Sequence, residues 1–236
     1  MVVCGGNSRQ HRSVTLSRRA AKLIVALCLI AVPVAAASED AQHAVTYTAH
    51  VCLRGLQVTV PNRGWTVYED QRGEFSLKTP VGLTRQGYIH FWLDPHASAP
   101  RGVELPRVGT TAKALIAWLR SNRNLIVSSP TAKRIGRISM MSVKLDLSAR
   151  PPREDPTCTA PCLTYFVFHG PGYNFPFGTA RGEPVRLYLA TVRRMGSTRT
   201  IAIAVSAPAK SFRAVERVAS EILASVMFPA KLTTVG

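Results

Sequence analysis

"DPTCTAPCLTYF" at 155–166 sets Cys158 and Cys162 four positions apart among prolines, just ahead of an aromatic, β-branched run. Three chemistries use such a pair. Redox couples usually have two intervening residues and open a helix; this pair has three and a strand follows. Zinc needs four ligands, and adding His169 supplies only three at an unusual spacing. The expectation is therefore a structural disulfide, Cys158–Cys162, closing a tight loop beside Pro156 and Pro161. Small loops remove little unfolded-state entropy, so it would stabilise by about 2 kcal/mol. Cys52 is left over; pairing it with either partner would constrain far more chain.

His90, Asp94 and His96 lie close enough in sequence to share a metal. In a strand His90 and Asp94 face one side, but Pro95 leaves the direction of His96 open, so a satisfied polar cluster is expected rather than a ligand set. No metal and no cofactor are assigned. Trp92, Tyr173, Phe175 and Phe177 could form the lip of an apolar ligand site; the plainer reading is that these rings seal the edge of the core. Arg193, Arg194 and Arg199 set three cations around one hairpin tip, where they could touch an anionic polymer or lipid surface. Hydrolase motifs are missing: there is no Gly-x-Ser-x-Gly elbow, no His-Glu-x-x-His, and no Ser-x-x-Lys after residue 37. "GPGYNFPFG" (170–178) offers two glycines of a phosphate loop without the third or a following helix, and is read as an aromatic loop.

The elements that must position these residues follow from periodicity. Segments 43–51 and 56–60 read as short strands, and "WTVYEDQRGEFSLKTP" as a hairpin. "GYIHFWLDP" (87–95) is a strand with Ile89, Phe91 and Leu93 on one face and Tyr88, His90 and Trp92 on the other. Both faces are bulky, so it is covered on both sides or lines a pocket on one. Segments 125–130, 138–148, 163–169, 185–192 and 198–207 also read as strands, with Val143, Leu145 and Leu147 facing in and Ser142, Lys144 and Asp146 facing out. Helical spacing marks 108–124, capped by Thr110 or Thr111, and 209–229, stopped by Pro229. Short turns between strands imply a largely antiparallel sheet with two amphipathic helices packed on it: α+β, one domain over 44–230, with 231–236 as a tail.

"GWTVYEDQRGEFSLKTP" (64–80), then "IHFWLDP", "TAKALIAWLRSNRNLIV" and "ASEILASVMF", resembles a group of uncharacterised actinobacterial exported domains. That group is similar in pattern to the PsbP-like fold, which implies an antiparallel sheet with helices on its faces. It also implies binding or assembly roles, with no catalytic residues to carry over.

The chain has 236 residues, 46% hydrophobic and 18% charged, which excludes a disordered chain and suits a single domain. Arg9, Arg12, Arg18, Arg19 and Lys22 precede the apolar run "LIVALCLIAVPVAAA" (23–37). This reads as an export signal over 1–37, cut after Ala37, with a short segment 38–43 before the domain. "SRRAAKL" partly matches a twin-arginine signal, so the route is Sec or twin-arginine. The run is shorter than a bilayer span and broken by Pro33; an uncleaved membrane anchor is the alternative. That leader would remove five of the 30 basic residues and none of the 13 acidic ones, leaving a formal charge of +12. No run of five or more like charges and no aromatic platform marks nucleic-acid binding. The expectation is a secreted, basic, non-catalytic binding or accessory module that meets an envelope component or partner protein. The alternative is a secreted thiol- or metal-dependent enzyme.

Overall fold

Alternation along the central strands decides the layering. The structure, a computed structural model, describes residues 44–61, 64–71, 73–80, 86–149, 161–169 and 174–235, all within one compact unit spanning Ser38–Gly236. In β5 (Tyr88–Leu93), Ile89 and Phe91 enter one core while Trp92 enters another. β13 (Val185–Arg194) and β14 (Ser197–Ser206) divide likewise, Ile201, Ile203 and Val205 going one way and Ala202 and Ala204 the other. A sheet with two apolar faces must be covered twice, and it is.

Among the described residues the central sheet has nine strands. Its path runs β3 (Thr66–Gln71), β4 (Glu74–Lys78), β5, β14, β13, β10 (Ile138–Leu147) and β8 (Leu125–Val127). β9 (Thr131–Ile135) also pairs with β10, and β15 (Leu232–Thr234) with β13, so part of the expected tail belongs to the sheet. One face carries α2 (Ala209–Ala224) and a small sheet of β1 (Val45–Thr48) and β2 (Gln57–Val60). The other carries α1 (Ala112–Ser121) and a four-stranded sheet ordered β12 (Asn174–Ala180), β11 (Cys162–His169), β6 (His96–Ala99), β7 (Val103–Glu104). Every strand pairing among the described residues is antiparallel, and the class is α+β. None of the described helices is long and apolar enough to cross a membrane.

Both expected helices are present with shifted ends. Thr111 caps α1 by accepting from the Ala114 N–H at 3.3 Å, and Leu115, Ile116 and Leu119 are its buried stripe. α2 ends well before Pro229, because the chain beyond it is taken by β2. Ser225 Oγ accepts from the Thr59 N–H at 2.9 Å, and Gln57 bridges to Met227. Ser142, expected to face solvent, is buried, because α2 covers that face; neighbouring Lys144 lies over the Phe212 ring, 5.3 Å from its centroid.

The segment read as an aromatic loop is largely a strand, which corrects that reading. Residues 174–178 begin β12, where Pro176 registers with Val167. Proline lacks the N–H a ladder needs, so it disguised the strand; β12 is an edge strand, where the missing donor is tolerated. A register shift between Thr164 and Phe166 accompanies Gly178, whose absent Cβ would fall 2.1 Å from the Leu163 carbonyl oxygen.

Candidate functional site

Where β5 ends and the chain crosses to β6, five segments surround a cavity of about 530 Å³. Its walls include the turn residues Val51, Cys52 and Leu53, the β3–β4 turn at Gly73, and Leu93 and Asp94. His96, His169, Arg194 and Arg199 complete them. Asp70 pins the first wall: its carboxylate accepts the backbone N–H groups of His50 (2.9 Å) and Val51 (3.2 Å). Leu53 sits at φ 47°, a left-handed conformation held by the Ala49–Leu56 and Gly55–Ala49 backbone bonds.

Asp94 holds the opposite corner. It too is left-handed, at φ 56°, which aspartate tolerates better than most residues. Its N–H donates to the Thr200 carbonyl at 2.7 Å, Oδ1 accepts from the Thr200 N–H at 3.1 Å, and Oδ2 pairs with Arg199.

The arginine trio is split by strand alternation. Arg194 and Arg199 share the face of Val192, Arg199 lying opposite Val192 in register, whereas Arg193 lies on the other face and outside the cavity. Arg199 is neutralised by Asp94. Arg194 has no ion-pair partner among the described residues. The walls therefore carry two guanidiniums against one carboxylate.

Cys52 is a free thiol and is buried. Burial, then the Glu74 and Asp70 charges, push its pKa from an ordinary 9.0 to about 12, so it is not a nucleophile at neutral pH. Cys162 is disulfide-bonded. Cys158, its expected partner, lies outside the described residues, as do Tyr173 and the expected export signal.

The aromatic residues read as a pocket lip form a stack. Trp92 is 1% exposed, with rings of Phe177, Phe168 and His90 centred 4.3, 4.6 and 4.8 Å away. Phe175 stacks on Phe168 at 5.3 Å. Trp92 thus has no open face to offer a ligand, and among the described residues its indole N–H lacks a partner, as do the Tyr165 and Ser76 hydroxyls. Ser76, His90 and Glu74 share one sheet face, with His90 Nδ1 2.6 Å from Glu74 Oε1. Ser76 Oγ makes no bond to His90, so the three do not form a relay.

His90, Asp94 and His96 do not share a centre: each has a different partner, Glu74, Arg199 and Glu104 respectively. What sequence reasoning missed is Glu104. His96 Nδ1 lies 2.7 Å from Glu104 Oε1, and His169 Nε2 lies 3.0 Å from Glu104 Oε2. The two imidazoles meet edge to face, 4.5 Å between centroids. A two-residue strand gave no periodicity from which to place Glu104.

No family model matches the chain. No curated protein matches it either. It is similar to a protein from Bacteroides thetaiotaomicron VPI-5482 seen in a crystal structure at 1.50 Å resolution. The identity is 14% over 75% of this chain, with a TM-score of 0.36. The match spans 46% of that protein's length.

Proposed function

We propose that this chain is an exported, non-catalytic binding module of the cell envelope, PsbP-like in plan and akin to the actinobacterial exported domains it resembles. Its cavity takes a molecule, or the end of a polymer, that presents an anionic group. The observation that carries this reading is Arg194, a cation facing a 530 Å³ cavity without a carboxylate to neutralise it. That volume lies in the range of small-molecule sites, and a guanidinium fork suits carboxylate or phosphate. Burial of Cys52 argues against thiol catalysis there, and a Cys158–Cys162 staple would keep the loop ahead of β11 fixed. The test is calorimetric titration of the exported protein with orthophosphate and citrate at low salt. Binding that weakens at least about tenfold in Arg194→Ala, while Arg193→Ala leaves it unchanged, supports the reading. Equal effects of the two variants, or no binding by the parent, overturn it.

A second reading, the metal-dependent enzyme, has one observation in its favour: two histidines and a carboxylate meet at the rim of the same cavity.

A further inference from the structure

The topology of the four-stranded sheet explains why His96, Glu104 and His169 meet. His96 registers with Val167 of β11, so His169, two residues further on, rises from the same face. Ser98, two residues after His96, registers with Glu104 of β7. Three neighbouring strands therefore each raise one ligand-type side chain from a single face, although 73 positions separate the first from the last. Their donor atoms all lie within 4.8 Å of one another.

Beyond the cluster, His169 Nδ1 lies 2.7 Å from Asn174 Oδ1, while its Nε2 faces a Glu104 carboxylate oxygen at 3.0 Å. With Nε2 ligating a cation, Nδ1 would keep its proton and donate to the Asn174 oxygen. A ligating histidine whose other nitrogen donates to an amide or carboxylate oxygen is the usual outer arrangement of a metal site.

We infer that His96, Glu104 and His169 form a binding site for one divalent transition-metal ion, with Asn174 fixing the orientation of His169. Two imidazoles and one carboxylate select a borderline ion of the zinc, cobalt or iron(II) kind over calcium or magnesium, which prefer all-oxygen sets. Bonds of about 2.0–2.2 Å hold neighbouring ligand atoms about 3.0–3.5 Å apart. The observed 2.7 and 3.0 Å would open by a few tenths of an ångström, and separations towards the 4.8 Å limit would close by about an ångström through side-chain rotation. The side chains of His96, Glu104 and His169 are 25%, 34% and 43% exposed, so an ion can enter and keep open positions. His96 and His169 also line the cavity, so those positions can face it. The inference does not rest on the anion reading.

The experiment is titration of the untagged, chelator-stripped exported protein with Co²⁺ and Zn²⁺, read by native mass spectrometry and visible absorption. One equivalent of metal is expected. His96→Gln, His169→Gln and Glu104→Gln should each weaken binding more than about a hundredfold, and Asn174→Ala by about 10–100-fold. Because the group is half exposed, the variants should melt with the parent, and a melt run beside each titration separates lost ligation from lost folding. Where His169→Gln fails to fold, Glu104→Gln, which preserves shape, carries the decision. No bound metal in the parent, or one equivalent still bound by all of these variants, which places the ion elsewhere, overturns the inference.

Discussion

Asp94 joins the backbone geometry of the cavity to its charge, so three substitutions there separate the two. Asn keeps an acceptor for the Thr200 N–H and tolerates the left-handed backbone, losing only the Arg199 pair. That pair is 23% and 43% exposed on its two sides, and solvent screening limits its worth to about 0–1 kcal/mol. Gly frees the backbone but leaves the amide of Thr200, a residue only 2% exposed, without its partner, for about 1–3 kcal/mol. Ala adds left-handed strain of about 1–2 kcal/mol to that loss. Urea unfolding followed by tryptophan fluorescence should rank the losses Asn, then Gly, then Ala, with Ala at about 2–5 kcal/mol. The same Asn variant releases Arg199 beside Arg194. An added cation at contact distance is worth about 1 kcal/mol in a water-like medium, so orthophosphate should bind about fivefold tighter at low salt. Equal losses across the series refute the account of the backbone. Weaker orthophosphate binding by the Asn variant refutes the account of the cavity charge.

Trp92→Phe should cost less than about 1.5 kcal/mol, since it keeps the stack and removes a buried N–H without a partner, whereas Trp92→Ala should cost about 3–5 kcal/mol; chemical denaturation distinguishes them. Cys52 should resist a thiol reagent in the folded protein at pH 8 and react once urea is added. Its folded pKa of about 12 exceeds the ordinary 9.0, so the folded state keeps a proton that the unfolded chain releases. That contribution is complete below pH 9 and is lost as pH rises from 9 towards 12, a decline that Cys52→Ala should flatten in a series of alkaline melts. Gly178→Ala should destabilise by more than about 3 kcal/mol, because its Cβ would collide with the Leu163 carbonyl rather than with a movable side chain.

Periodicity carried the long strands and both helices, because apolar residues at spacing two or near 3.6 report a buried face directly. The bulky residues on both faces of 87–95 left cover on two sides and a pocket on one as alternatives, and the structure shows the first, with Trp92 and Phe91 in different cores. Short elements escaped: β6, β7 and β15 are too brief for a period, and β9 has four exposed residues before buried Ile135. Pro176 hid β12 for the reason given above. The site was harder still. Arg194 and Arg199 could be read as cations at a hairpin tip, but that only one of them is neutralised depends on where Asp94 lands after β5. Glu104 meets His96 and His169 through strand register, which no local pattern encodes. Ser142 shows the opposite failure, a clean alternation misread because a polar face can also be buried beneath a helix.

An exposed strand edge is ordinarily a template on which another chain can extend the sheet. The outer edge of the four-stranded sheet resists this use. Pro176 removes a donor from the middle of β12, and the shift opposite Gly178 breaks the even spacing that an incoming strand would need to match. Two molecules of this protein should therefore not join through β12, even at high concentration. Any partner that meets this side must recognise side chains rather than zip onto the main chain, so surface substitutions, and not strand-mimicking peptides, are the way to find it.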